Sequence, residues 1–87
     1  MKDLLFTGSS WEDMQYWEEN NPKVYQQIKR MISEISRDPF RGIGKPEPLK
    51  HDYAGWWSRR INNTDRLIYK MENDALVILQ CRSHYNK

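Results

Sequence analysis

The sequence predicts an α+β fold: two N-terminal helices packed on a small, mainly antiparallel sheet, in the order β-α-α-β-β-β. Three observations predict it. Between residues 10 and 37 apolar side chains recur at spacings of three and four, the helical period. Between residues 56 and 81 three short runs alternate at the strand period of two. The breaks between those runs are three or four residues long, which suits antiparallel hairpins and not crossovers.

Each element has its own signals. Leu4, Leu5 and Phe6 form an apolar run before Thr7-Gly8-Ser9, a first strand ending in a turn. Ser10 opens a helix signature, with Asp13 three residues on in a near capping box and Glu12 and Asp13 at the positive end of the helix dipole. Trp11, Met14 and Trp17 supply its apolar stripe. At Asn21-Pro22 the pattern restarts: Asn caps, and Pro suits the first helical position because its missing N–H has no partner there. Val24, Ile28, Ile32 and Ile35, with Met31 beside them, make a second amphipathic helix that ends before Asp38-Pro39. So short a break between helices implies a hairpin covering one sheet face. From Phe40 to Asp52 there are two Gly, two Pro and no periodicity, an irregular and charged connection. Trp56–Ile61, Arg66–Met71 and Leu76–Cys81 then read as three strands, with turns at residues 62–65 and 72–74. One sheet face meets the helices, and the other is expected to lie open to water or a ligand.

At 87 residues the chain is expected to form one domain, 1–87, with a modest core. Four Trp and five Tyr can fill that core or meet a partner, and their number alone does not decide between these uses. The single Cys, Cys81, lies in an apolar run and forms no internal disulfide, consistent with a reducing compartment. The opening residues lack the apolar length of a secretory signal and no stretch approaches a membrane span, so a cytoplasmic protein without a membrane partner is expected. The formal net charge is +2, but it is unevenly spread. Residues 1–40 hold five Lys/Arg against seven Asp/Glu, whereas residues 41–70 hold seven against three. A basic middle third can draw a nucleic acid or an acidic protein, or can be ordinary solvated surface.

Alternation sorts this charge by face. Trp56, Ser58 and Arg60 point one way and Trp57, Arg59 and Ile61 the other; Leu67 and Tyr69 read as core-facing, which turns Arg66 and Lys70 outward. Arg60 and Arg66 flank one short turn, where two clustered guanidiniums are costly unless an anion joins them; solvated strand ends are the alternative. Glu47 is the single acid between Lys45 and Lys50, stiffened by Pro46 and Pro48. Among cations its carboxylate stays ionised and can accept a proton, or can form an ordinary ion pair. His84, followed by Tyr85, stands beyond the last strand and can exchange a proton near neutral pH, or can belong to a frayed tail. His51 has Asp52 beside it as a ready partner. One His, one Glu and several Arg are the parts needed to cut RNA by internal attack. A base takes the 2′-hydroxyl proton, cations stabilise the phosphorane-like transition state and an acid protonates the departing 5′-oxygen. The sequence offers no tight carboxylate or His/Cys ligand set, so neither metal nor other cofactor is expected.

Four segments carry a resemblance together: Gly44-Lys45-Pro46-Glu47-Pro48-Leu49-Lys50-His51, Trp57-Ser58-Arg59-Arg60-Ile61, Asp65-Arg66-Leu67-Ile68-Tyr69 and Cys81-Arg82-Ser83-His84-Tyr85. With Ser10-Trp11 and Asp38-Pro39-Phe40 they span essentially the whole chain, and the chain resembles the YoeB toxins, the Txe branch of the RelE-like toxins. That resemblance implies a microbial-ribonuclease-like fold, usually dimeric, and ribosome-dependent, metal-independent cleavage of mRNA in the decoding site. Carried onto this chain it implies Glu47 as general base, His84 as general acid and Arg66 as stabiliser of transition-state charge. Lys50 and Arg60 become supporting phosphate contacts, and Tyr85 helps to hold the substrate. The implied products are a 2′,3′-cyclic phosphate, or its opened form, and a 5′-hydroxyl. The implied partners are a YefM-like antitoxin, the ribosome and its mRNA, a second copy of the chain, and operator DNA reached mainly through the antitoxin complex. Many relatives stop at the position of Tyr85; Asn86 and Lys87 are an extension expected to be exposed and tolerated. Two rivals use the same basic surface: a non-catalytic ribosome- or RNA-binding translation inhibitor, and an interaction module for an acidic protein partner.

Overall fold

The two helical periodicities become two helices, and the alternating runs become adjacent strands of one sheet. The computed structural model describes residues 3–83. In chain order these form β1 (Asp3–Phe6), α1 (Ser10–Asn20), α2 (Pro22–Arg37), β2 (Glu47–Pro48), β3 (Trp57–Arg60), β4 (Arg66–Glu72) and β5 (Ala75–Gln80). The sheet order is β1-β5-β4-β3-β2. β1 lies parallel to β5, and all other pairings are antiparallel, so the sheet is mixed and mainly antiparallel. None of the helices among the described residues is long and apolar enough to cross a membrane.

α2 forms as its pattern predicts. The Asn21 side chain accepts from the Val24 amide, Pro22 opens the helix, and Ile28, Met31 and Ile35 are fully buried on one face. They pack with Met14 and Trp17 of α1 against Leu67, Tyr69, Leu76 and Ile78 of the sheet. α1 departs from expectation at its start. Ser9, not Ser10, is the N-cap residue, and its side chain caps no backbone amide. The Ser10 hydroxyl bonds the Thr7 and Ile78 carbonyls, and the Asp13 carboxylate accepts from the Cys81 amide at 3.0 Å. The Trp17 indole donates to the Cys81 carbonyl at 2.8 Å. Polar groups that would cap an isolated helix here fasten it to the end of β5. Trp11, assigned to the buried stripe, is instead 58 % exposed and meets Phe6 edge-on. Cys81 is buried as expected, and desolvation together with nearby Asp13 pushes its thiol up to about 12, leaving it protonated and unreactive.

The sheet's second face is open only in part: Glu47 and Arg60 are exposed on it, but its middle is not. Ile68 and Val77, placed there by alternation, are 0 % and 5 % exposed, and Ser58 is 3 % exposed. The segment expected to be irregular extends the sheet: β2 adds a fifth strand at the edge, and Leu49, whose amide bonds the Trp56 carbonyl, is buried beyond it.

Arg59 is the unexpected core residue. It points to the helix side and has no exposed surface. All five of its N–H donors are used. Nε donates to the Tyr69 hydroxyl, Nη1 to Glu34 Oε1 (2.6 Å) and the Ile43 carbonyl, and Nη2 to the carbonyls of Asp38 and Arg41. The Tyr69 hydroxyl in turn donates a hydrogen bond to the Pro39 carbonyl, and Glu34 Oε1 also accepts from the Ile43 amide. A segment without secondary structure thereby has its polar backbone satisfied from inside. Gly42 is required there: at φ +129° its missing Cβ leaves the space that the Glu34 carboxylate fills.

Two outcomes follow from this network. Arg59→Met should cost about 3–5 kcal/mol in urea unfolding, because it strands a carboxylate, a phenol and three carbonyls. The Ile43 amide and the Arg59 guanidinium hold Glu34 below its ordinary carboxylate value. The stability it confers is therefore complete above that ordinary range and is lost as pH falls through its lower folded value. Glu34→Gln should flatten stability against pH in that acidic window, and an unchanged slope would show that Glu34 is not its source.

Candidate active site

β2 exists because Pro46 and Pro48 hold the chain extended on either side of Glu47. The register sets Glu47 opposite Ser58, and Ser58 opposite Ile68. Facing residues in an antiparallel sheet point to the same side. Arg60 stands two residues beyond Ser58 and is paired directly with Arg66. Glu47, Arg60 and Arg66 therefore share the face away from the helices. Strand spacing near 5 Å and a two-residue rise near 7 Å put the Glu47 and Arg66 Cα atoms about 12 Å apart, within the joint reach of a Glu and an Arg side chain meeting at one phosphate. Glu47 is exposed, and among the described residues no ion pair reaches it. An unpaired carboxylate beside cationic side chains suits a proton acceptor.

Residues 47–53 wrap a cavity of about 250 Å³. Lys50 is exposed on its rim. His51 and Asp52, read from sequence as an ion pair, both line this cavity, where a single 3-10 turn holds residues 51–53. His51 adopts φ +58°, a left-handed conformation uncommon for a residue other than Gly. The larger groove between the helices and β1, about 440 Å³, is lined by Phe6, Trp11 and Tyr25 among others. It lacks the cationic cluster found on the other face.

The two strand arginines are set differently. Arg60 is exposed, and its amide donates to the Gly44 carbonyl at 2.6 Å, which ties the approach to Glu47 to β3. Gly44 has φ +83°, and a Cβ there would come within 2.8 Å of the Arg60 carbonyl oxygen. Arg66 is half-buried, and its Nη1 donates to the carbonyls of Asn62 and Asp65 at 2.8 and 3.1 Å. Those carbonyls offset part of the repulsion between facing guanidiniums. Further along, the Lys70 ammonium sits 4.6 Å from the centre of the Trp56 ring.

The C-terminal end reaches the same row. The Arg66 amide donates to the Ser83 carbonyl, and the Ser83 amide donates to Asp65 Oδ1. His84 and Tyr85, the sequence-derived acid and substrate-holding residue, lie outside the described residues, as do Asn86 and Lys87. The residue immediately before His84 is thus fixed beside Arg66. Sequence reasoning grouped Arg59 with Trp57 and Ile61 on one side of the strand but gave it no role; alternation was the signal, and its meaning depends on loop carbonyls that no pattern predicts.

Comparison with known proteins gives the family of the chain. The family model described as "YoeB-like toxin of bacterial type II toxin-antitoxin system" matches residues 6–85. The YoeB toxin of Streptomyces coelicolor is 55% identical over 82 residues, covering 94% of this chain and 98% of the relative. That of Escherichia coli K12 is 45% identical with the same coverage. Among solved structures, a YoeB/ParE toxin from Agrobacterium tumefaciens has 42% identity and a TM-score of 0.93, covering 95% of this chain and 99% of that one. The YoeB-YefM complex from Staphylococcus aureus contains a chain with 36% identity and a TM-score of 0.89, covering 98% and 99%. YafQ of E. coli, at 17% identity and a TM-score of 0.78 over 97% of this chain and 94% of its own, shares the fold alone. The chain belongs to the YoeB-like toxin family of bacterial type II toxin–antitoxin systems.

Proposed function

We propose that this toxin is a ribosome-dependent endoribonuclease that cuts mRNA in the decoding site by general acid–base catalysis, acting as a single domain over residues 1–87. The observation that carries the reading is the arrangement of Glu47, Arg60 and Arg66 on one sheet face, with Ser83 bonded beside Arg66. Glu47 removes the proton of the 2′-hydroxyl, and the 2′-oxygen attacks the adjacent phosphorus. Negative charge building on the phosphoryl oxygens is met by Arg66, with Arg60 and Lys50 holding the phosphate on either side. The bond to the 5′-oxygen breaks as His84 delivers a proton to it, leaving a 2′,3′-cyclic phosphate and a 5′-hydroxyl. Tyr85 holds the substrate. Every atom and proton in this sequence is supplied by the RNA and the chain's own side chains.

The partners follow the relatives. Staphylococcus aureus structures include a YoeB-YefM complex and a YoeB dimer. They support a YefM-like antitoxin and a second copy of this chain as partners here, with operator DNA reached through the antitoxin complex. The cytoplasm is where ribosomes and mRNA would be met.

Primer extension on mRNA from translating cells tests the reading. Wild-type protein should leave new 5′ ends within codons. Glu47→Gln and His84→Gln should each lower cutting by about 10²–10⁴-fold, as loss of a general base or acid does. Arg66→Ala should lower it by about 10²–10³-fold. Arrest with every mRNA intact would replace the enzyme by the non-catalytic inhibitor, and no ribosome affinity would leave the interaction module.

The facing arginines give a second outcome. Relieving like charge should make Arg60→Gln more stable by about 0.2–1 kcal/mol. Inorganic phosphate should raise the melting temperature of wild type more than that of the variant. A variant that is less stable and equally responsive to phosphate would remove Arg60 from the anion site.

A further inference from the structure

The last described residues are held more firmly than a chain end requires. The Cys81 amide and carbonyl are taken by Asp13 and Trp17 of α1. The Arg82 guanidinium lies 3.5 Å from the centre of the Tyr16 ring, and the Gln80 side-chain Nε2 donates to the Arg82 and Ser83 carbonyls at 3.1 and 3.3 Å. At Ser83 the holding group changes. Its carbonyl accepts from the Arg66 amide at 3.1 Å, but its own amide donates to a side chain, Asp65 Oδ1, at 2.6 Å. A paired strand would return that bond from the main chain; a carboxylate has taken the carbonyl's place, in a shorter, charge-assisted contact.

The same carboxylate faces the turn. Asp65 Oδ2 accepts from the Asn62 side-chain amide at 3.0 Å, while Asn62 Oδ1 accepts from the Thr64 and Asp65 amides. The turn so formed presents the Asn62 and Asp65 carbonyls on which the Arg66 guanidinium rests. One carboxylate therefore joins the support of Arg66 to the residue that precedes His84. Ser83 has φ +60°, a left-handed conformation that a serine keeps only where its surroundings hold it.

We propose that Asp65 is a positioning residue for the nuclease: its carboxylate latches Ser83 to the Arg66 turn and sets the point from which His84 enters the site. The inference rests on the function proposed above. Asp65 touches neither substrate nor reacting atoms; it acts through Arg66 and His84. It is half-buried at the sheet edge and outside the apolar core, so its removal leaves that core intact.

The test is single-turnover and steady-state cleavage of mRNA on programmed bacterial ribosomes by wild type, Asp65→Ala, Asp65→Asn and His84→Gln. Amide exchange at Ser83 is followed by NMR on the same proteins. Asp65→Ala should lower kcat at least tenfold with KM for ribosomes within twofold, and should abolish protection of the Ser83 amide. Asp65→Asn keeps an oxygen facing that amide and should recover kcat to within threefold of wild type. Wild-type kcat in Asp65→Ala, or Ser83 protection unchanged by it, would overturn the latch. Equal loss in Ala and Asn variants, in step with a fall in melting temperature, would reduce Asp65 to a stabilising residue. If wild type and His84→Gln both leave mRNA intact, the nuclease reading fails and takes the catalytic part of this proposal with it, while Ser83 exchange still reports on the contact.

Discussion

A buried guanidinium organises this molecule. Arg59 brings a full charge into the helix-side core, where an unpaired cation would be untenable. It is compensated by Glu34, whose side chain is one-third exposed and stays ionised, and by a phenol and three carbonyls. The partners come from the end of α2, the loop after it and β4, so one side chain fixes three segments relative to β3. The loop sends apolar side chains to this side, Ile43 among them, but what it offers Arg59 is backbone. Leu and Ile cannot satisfy carbonyls, which is why a residue with five donors occupies a position that a hydrophobe would normally take. Burial also pushes the Tyr69 phenol up, keeping it neutral as the donor that secures Pro39.

That constraint extends to the opposite face through the chain itself. The loop held by Arg59 reaches Gly44, whose carbonyl takes the Arg60 amide. Three residues later Glu47 pairs with Ser58. The position of the proposed base thus depends on a network on the far side of the sheet. β2 has only two residues and cannot hold register by its own ladder. Its neighbours supply what it lacks: Leu49, buried beyond it, and the Leu49 amide bond to Trp56.

How far the sequence revealed this varied with the kind of interaction. α2 was legible because sixteen residues carry a sustained period and its start has both Asn21 and Pro22. The hairpins were legible because their turns are short and polar. α1 was only partly so: Ser10 and Asp13 look like capping residues, yet they bond to groups 68 positions away, a use that local pattern does not encode. β2 lay below the length at which alternation can be seen, so the fifth strand came from a segment that looked aperiodic. At the site, alternation and the turn brought Arg60 and Arg66 together, whereas Glu47 was legible only as the acid between two prolines in a segment expected to be irregular. The third partner was legible only as a residue following the last strand, because the anchoring of Ser83 involves a side chain from another turn.

The adjacent arginines show why register and chemistry are inseparable here. Arg59 and Arg60 are alike in composition and opposite in environment: one has five protein partners in the core, the other faces solvent beside Arg66. Sliding β3 by one residue would exchange them. Arg60 would then enter the space shaped for Arg59, and Arg59 would replace Ser58 opposite Glu47. Hydrophobic pattern alone penalises that slip weakly, since β3 carries only one large apolar side chain, Trp57, among four residues. The penalty comes instead from polar satisfaction, because the loop carbonyls and Glu34 accept a guanidinium at one height and orientation. Among the described residues no buried side-chain nitrogen or oxygen lacks a partner, so the present register leaves nothing to gain by moving. The interaction that holds the loop is therefore also the one that decides which arginine stands beside Arg66 on the exposed face.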